Sequence, residues 1–408
     1  MSELELALSR TMQAFPASMP RRAATALSIL DRLRAGSLEL ALPDGQCLQL
    51  GRGACAARMR INDWRVFDAA LGKGDIGLAE AYIDGWWDTD NLPGLLTLLA
   101  KSRDVLKEAV YGNALRLLGD RLSHLLRANT RDGSRRNIMA HYDLGNRFYE
   151  SWLDATMSYS AALFDGDHSR TFDDAQRAKY RRILDQLDAK PGQHVLEIGC
   201  GWGSFAEIAT REYGLKVLGL TLSPAQLDYA RQRAASRGFA DLATFELRDY
   251  RDERGRYDHI VSIEMFEAVG ERFWPTYFAQ LRDRLEPGGR AVMQVITIDD
   301  ALFGRYRRGT DFIQRYVFPG GMLPAPGIFR RRAADCGLQV RDELSFGRDY
   351  AHTLALWAAR FEEMQATIRA QGFRDDFMRL WRFYLAYCEA SFRAGSTDVY
   401  HFTLQHAT

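Results

Sequence analysis

A mostly parallel α/β sheet preceded by a smaller α+β unit is the fold the sequence predicts, and three observations carry that reading. The first is 195–204, VLEIGCGWGS, where apolar residues run into a glycine-dense turn and the apolar-periodic FAEIATREYG follows at once. That is the pattern of a buried strand, a tight loop and a helix start. The second is the alternation of strand-like and helix-like runs beyond it, which stacks strands in parallel with their carboxyl ends facing a ligand crevice. The third is size: 408 residues with 47% hydrophobic content exceed one ordinary domain and suit two.

In chain order, residues 1–35 have amphipathic helical period, interrupted around Pro16 and Pro20. Residues 37–50, SLELALPDGQCLQL, alternate on both sides of a PDG turn, which predicts a hairpin, and ARMRIND continues the alternation. Residues 66–88 predict a helix, a break at Gly72, Gly74 and Gly77, a short helix and an aromatic end, before NLPGLLTLLAKSRDVLKEAV returns to helical period. This first unit, 1–130, offers neither a nucleophile nor a metal cluster, so lipid or partner contact is expected of it. The joint is placed at 128–136, ANTRDGSRR, a polar, charged stretch of linker composition.

The second unit, 137–408, opens with the aromatic-rich MAHYDLGNRFYESWLDATMSYSAALF and the helical DDAQRAKYRRILDQL. After the central strand, KVLGLT leads into a helix with Ser223 as N-cap, Pro224 at its first position and Gly238 as its stop. ATFELRDY, YDHIVSIEMF and RAVMQVITI read as further strands, the last opened by a turn at Pro287-Gly288-Gly289.

Bulk charge narrows the function classes. Lys plus Arg, 54, nearly cancels Asp plus Glu, 53, so nucleic acid is not an expected partner. Two local stretches are basic, 101–136 with nine cations against four anions and 305–332 with seven against one, and these are expected to face anionic surfaces. Five cysteines show no CxxC pair and no metal-ligand spacing, which suits a reducing cytoplasm and predicts no metal. No run approaches the ~18 apolar residues of a membrane span, so membrane contact is expected to be peripheral.

The glycine loop predicts a polar small-molecule ligand. Gly199, Gly201 and Gly203 remove side chains that would hold a ligand off the backbone. Glu197 at the strand's end repels a pyrophosphate but suits the ammonium and hydroxyls of S-adenosylmethionine, and KVLGLT ends in Thr221 where a dinucleotide fold usually carries an acid. Asp249, ending ATFELRD, is placed to reach the adenine amine, with a turn or cap aspartate as the structural alternative.

The ordered motifs HYDLGNRFYESWLDATMSYS, VLEIGCGWGS, GLTLSPAQLDYA, YDHIVSIEMFEAVG, TDFIQRYVFPGG and FGRDYAHTLALW resemble the S-adenosylmethionine-dependent cyclopropane-fatty-acyl-phospholipid synthases and related fatty-acid methyltransferases. The FPGG and IEMFEAVG stretches are most similar to the plant-type synthases, and GDIGLAEAYIDGWWD is similar to the family's N-terminal domain. The resemblance implies a class I methyltransferase, Rossmann-like, with a mostly parallel seven-stranded sheet. It implies a methyl donor held by Glu197, Gly199 and Gly201, with Tyr159 and Ser160 at its amino-acid end and Thr221, Leu222 and Gln226 near its adenosine. It further implies unsaturated phospholipid acyl chains as substrate, a peripheral site on the cytoplasmic face of an anionic membrane, and a homodimer.

For the chemistry, the resemblance implies a bound bicarbonate that takes a proton from the methylated chain, held by a cysteine, a glutamate, a histidine and a tyrosine. Glu267 and Tyr350 match the glutamate and tyrosine, while Ala161 and Ile296 are read at the cysteine and histidine positions, leaving fewer donors for a small anion. Glu264 adds a second carboxylate three residues before Glu267; on a helical turn the two share a face, and their repulsion raises one toward a useful base. Phe148, Tyr149, Trp152, Phe164 and Phe266 are candidates for an acyl tunnel, with ordinary core as the alternative. A cyclopropane is the first product expected, a methyl or methylene branch the second, and a non-catalytic binder of donor and lipid the reading from another class.

Overall fold

The computed structural model describes residues 19–110 and 144–407, so the expected joint at 128–136 and the first half of the expected N-terminal helix lie outside the described residues. The first unit contains the helix Arg21–Leu30 and then a four-stranded sheet made of β1 (Ser37–Ala41), β2 (Cys47–Gly51), β3 (Cys55–Ile61) and β4 (Trp87–Asp88), in the order β2-β1-β3-β4. The predicted hairpin is β1 against β2, and β3 joins β1 in parallel. Between β3 and β4 the chain makes the helices Arg65–Lys73 and Asp75–Ile83, broken at Gly74, whose φ of 62° suits a glycine. The helix Leu92–Lys101 follows, capped by the Asn91 side chain on Gly94 N–H.

The second unit is a seven-stranded sheet of the class I methyltransferase kind. Its strands are β5 (His194–Ile198), β6 (Lys216–Thr221), β7 (Ala243–Leu247), β8 (Tyr257–Ile263), β9 (Leu285–Ile298), β10 (Leu338–Ser345) and β11 (Thr397–His406), in the order β10-β11-β9-β8-β5-β6-β7. The five strands from β5 to β9 pair in parallel, whereas β11 is antiparallel to both β9 and β10. Ser223 caps the helix Pro224–Arg237 and Gly238 ends it at φ 72°, as predicted. Pro287-Gly288-Gly289 does not open β9 but is absorbed in it: the register against β8 jumps from Tyr257↔Leu285 to His259↔Arg290, so the turn residues form an irregularity within one long strand.

The two units share one apolar core. Leu27, Leu38, Trp87 and Leu95 of the first unit belong to the same buried cluster as Trp357, Trp381 and Phe383 of the second. The long helix Asp375–Arg393 joins them, and its Arg379 donates to Tyr82 O at 2.6 Å and to Asp88 Oδ1 at 2.8 Å while lying 4.0 Å over the Tyr82 ring. Phe148, Tyr149, Trp152 and Phe164 also lie in this cluster, and Phe266 packs against Trp274 and Tyr277 in a second one; all five are fully buried. They are core, not tunnel, because large rings at the centre of a cluster leave no free face for a ligand.

Candidate active site

Strand ends assemble the site, as expected for a parallel sheet. After β5, Gly199, Gly201 and Gly203 take φ values of 87°, 51° and 83°, and Gly203 caps the helix Ser204–Tyr213. The residues expected to hold the donor and those expected to carry the chemistry line a single cavity of about 1140 Å³: Tyr159, Ser160, Glu197, Gly199, Gly201, Thr221, Leu222, Gln226, Asp249, Glu264, Glu267 and Tyr350, whereas the five aromatics and Gly203 do not. The volume exceeds the ~300–1,000 Å³ usual for one small ligand, so it has room for a donor and a second molecule. Beyond the glycine loop and the carboxylates, its wall passes to Leu354, Phe383 and Phe392, then to Ile29, Val66 and Leu96 of the first unit.

At the glycine end, Glu197 is buried and its Oε2 has no hydrogen-bond partner among the described residues. A buried carboxylate oxygen without a donor calls for a cationic or N–H ligand. Burial also pushes its pKa well above the usual carboxylate range. Thr221 donates to Gln226 Oε1 at 2.9 Å and accepts from Ser223 N–H at 3.1 Å. Asp249 is less available than the sequence suggested: it caps the turn Tyr250–Asp252, and Arg251 binds it through two side-chain nitrogens at 2.8 and 2.6 Å. The cap alternative therefore describes its carboxylate, which still borders the cavity.

The acid–base centre differs from the expected cradle. Glu264 accepts from Ala161 N–H at 2.8 Å, from Tyr350 O–H at 2.6 Å and from Gln294 Nε2 at 2.7 Å. Tyr350, one of the groups expected to hold bicarbonate, is thus engaged by a carboxylate of the chain itself, as is the backbone N–H at Ala161, where the expected cysteine is missing. Glu264 reaches them from a left-handed backbone at φ 48°, which is strained for a residue with a Cβ. The helical turn begins only at Phe266, so the shared face expected for Glu264 and Glu267 does not form. Their charges are coupled nonetheless, and on this point the sequence expectation stands.

Burial and then the Glu264 charge push Glu267 from 4.5 to about 8, while Ile296 N–H donates to its Oε1 and its Oε2 has no partner among the described residues. Burial raises Glu264 too, but Tyr350, Ala161 N–H, the Lys179 charge and Gln294 all act to keep it ionised. The three donors on Glu264 and the poorer set on Glu267 therefore favour the charge on Glu264 and the proton on Glu267. This has a thermodynamic consequence. Between pH 4.5 and 8 the folded chain holds a proton that an unfolded Glu267 has released, so stability falls as pH rises through that interval. Glu267→Gln is expected to remove the loss, stabilising the protein by on the order of 2–3 kcal/mol at pH 7 and by little at pH 5; thermal unfolding at the two pH values reads it.

Two site residues escaped the sequence reading. Ile296 contributes backbone to the site, whereas the polar side chain entering from its strand is Gln294, two residues earlier on the same face. The Gln294 amide is oriented by buried His401 on β11, 2.8 Å from its Oε1; Arg182 lies 3.3 Å from the other ring nitrogen, and this assigns the ring proton to Nε2. The second is Lys179, fully buried in the helix Phe172–Leu187, whose Nζ donates to Ser160 Oγ at 2.6 Å. A buried side chain at a strand's carboxyl end was a readable signal for Gln294; nothing in a charge-rich helical run singled out Lys179.

Comparison with known proteins agrees with this geometry. The tuberculostearic acid methyltransferase of Mycobacterium tuberculosis is 38% identical over 404 residues, spanning 97% of this chain and 89% of that one. The cyclopropane-fatty-acyl-phospholipid synthase of Escherichia coli is 34% identical over 351 residues, 84% of this chain and 86% of that one. Among solved structures, the mycolic acid cyclopropane synthase CmaA1 complexed with SAH and CTAB superposes with a TM-score of 0.63 at 31% identity, covering 66% of this chain and 98% of that one. The mycolic acid cyclopropane synthetase description matches residues 129–402, and with the donor loop, the sheet order and the buried carboxylates in place, the chain belongs to that family of methyltransferases.

Proposed function

We propose that the protein transfers a methyl group from S-adenosylmethionine to a double bond of an unsaturated phospholipid acyl chain, forming a cyclopropane. The single observation that supports this most is the continuous cavity leading from the glycine loop, past the buried carboxylates, to an apolar chamber walled in part by the first unit. The donor's ammonium suits the unpartnered Glu197 oxygen, its amino-acid end Tyr159 and Ser160, and its adenosine Thr221, Leu222, Gln226 and the Asp249 region. Bound there, the donor supplies a strongly electrophilic methyl, which a weak nucleophile such as an alkene needs to have held in line within about 3–3.5 Å.

The alkene's π pair takes the methyl carbon as the C–S bond breaks, and the acyl chain is left with a carbocation. Glu264, fixed by three donors, accepts a proton from the new methyl group, and the released C–H pair closes the ring. With Tyr350 and Ala161 N–H bound to Glu264, few donors are left for a bicarbonate, and in this reading no step runs through it. Glu267 holds its proton nearby as a neutral acid, which limits negative charge in a closed site. A methyl- or methylene-branched product is the second reading, favoured by the tuberculostearic acid methyltransferase relative matched over 97% of the chain. A hydride shift before the proton is lost gives the methylene branch, and a saturated methyl branch needs in addition a two-electron hydride donor to reduce it.

Mass spectrometry of phospholipid acyl chains from cells with and without the protein tests the reading: addition of one CH₂ supports it, and fragmentation separates ring from branch. Tight donor binding with unchanged acyl chains would make the protein a binder and sink the proposal.

Access to the chain at a cytoplasmic membrane face is assigned to the cavity's basic border. The 305–332 stretch is not a uniform basic face, since Arg307 pairs with Glu271, Arg330 with Glu343 and Arg332 with Asp335; Arg305 and Arg308 border the cavity. Near an anionic surface each contributes about 1 kcal/mol, screened by salt. Replacing both by Ser is expected to weaken sedimentation with anionic vesicles at low salt and to leave neutral vesicles unaffected; equal binding places the membrane face elsewhere.

A further inference from the structure

Lys179 is a buried ammonium that the reaction as described does not use. It has no exposed surface, borders no part of the cavity, and among the described residues has no carboxylate within the 4.0 Å of an ion pair. Its neutral partner Ser160 Oγ, at 2.6 Å, lies on the segment that also supplies Tyr159 to the donor end and Ala161 N–H to Glu264. Gln176, one turn earlier on the same helix, holds Ser160 O at 3.0 Å, so the helix grips this segment at two points. Burying a charge without an ion pair costs several kcal/mol, and a neutral side chain of the same shape would fill the space more cheaply.

Its placement among carboxylates gives the charge a use. Glu264, Asp154 and Glu197 face it from three different segments, and His401 on β11 also feels it. Glu264 in turn faces Glu267, Tyr350 and Cys388 besides Lys179. Glu267 opposes ionisation of Glu264, and Tyr350 favours it by donating a hydrogen bond. We propose that Lys179 is a positioning residue for the transfer reaction, holding the Ser160–Ala161 segment and keeping Glu264 a carboxylate through its charge. Burial lowers Lys179 only to about 8, so it remains an ammonium at neutral pH. The inference rests on Glu264 as the proton acceptor.

The test is the pH dependence of kcat at saturating donor, on vesicles of dioleoyl phosphatidylglycerol, for the wild type, Lys179→Met, Lys179→Arg and Glu264→Gln. Saturating donor removes any effect that Lys179 exerts through Glu197 on donor binding. Loss of a neighbouring cation raises the proton affinity of Glu264. The acid limb of Lys179→Met is therefore expected to move to higher pH by about one unit, with rate recovered on the alkaline side. Lys179→Arg, which keeps the charge, is expected to return the limb toward wild type. An unmoved limb in Lys179→Met, or a drop equal at every pH, overturns the role of Lys179, while an inactive Glu264→Gln leaves the carboxylate reading intact. Full activity in Glu264→Gln overturns the carboxylate reading itself. Should Lys179→Met not fold, Lys179→Gln carries the same readout.

Discussion

Glu264→Gln is expected to lower the rate of product formation by about 10²–10⁴-fold, the range for losing a positioned general base, while leaving donor affinity within a few-fold of wild type. The amide keeps the size of the carboxylate; its oxygen can still accept from Ala161 N–H at the Oε1 position, while its NH2 takes the Oε2 position and donates to the Tyr350 hydroxyl instead of accepting from it. What it loses is the charge that favours the cation and the lone pair that takes its proton. Gln294 then confronts an amide in place of an anion, so part of the loss reflects a weakened hydrogen bond. Calorimetry with the donor and a radiolabelled methyl assay on unsaturated vesicles separate binding from turnover. Because the acceptor is part of the chain, removal of bicarbonate from the assay is expected to change nothing. Dependence on added bicarbonate, with Glu264→Gln active, would restore the small-anion mechanism.

Gly201→Val is expected to weaken donor binding by more than 100-fold. A Cβ at this position meets no protein atom within 4 Å, so the added side chain enters the cavity the glycine borders. Its φ of 51° costs a β-branched residue roughly 1–2 kcal/mol of stability, which a chain of this size tolerates. Gly199→Val differs, because its Cβ falls 3.0 Å from Met265 Cγ and the protein itself must shift. A folded Gly201→Val protein that binds donor as wild type does would remove the glycine loop from the donor site.

Much of the fold was readable because its signals are local. The hairpin around Pro43-Asp44-Gly45, the Ser223 cap and the loop after β5 each depend on neighbours in sequence, and each formed as expected. The site was readable where a backbone shape or a strand end dictates residue type, as at Glu197 and Gly199. It was not readable where burial is set by distant packing. Lys179 sits in a helix with six other charged residues, and only the tertiary fold shows that its side chain points inward. The same holds for β10 and β11, which no turn signal announced and which only the family resemblance implied. The aromatics of residues 148–164 have the composition of a lipid tunnel and the position of a core, and composition alone does not distinguish the two.

The place of β11 has a consequence for biogenesis. This strand lies between β9 and β10 in the sheet yet follows all others in chain order, so both of its neighbours wait for it with open edges. Pairing across such sequence separation is slow, and the unfilled slot leaves Phe402 and Leu404, buried in the finished sheet, without partners until the strand arrives. His401 comes with it, and the Gln294 amide then acquires the orientation that presents its N–H to Glu264. The methyl-transfer centre is therefore assembled only when β11, the latest in chain order of the seven strands, pairs with β9 and β10, and catalytic competence is reached together with completion of the sheet.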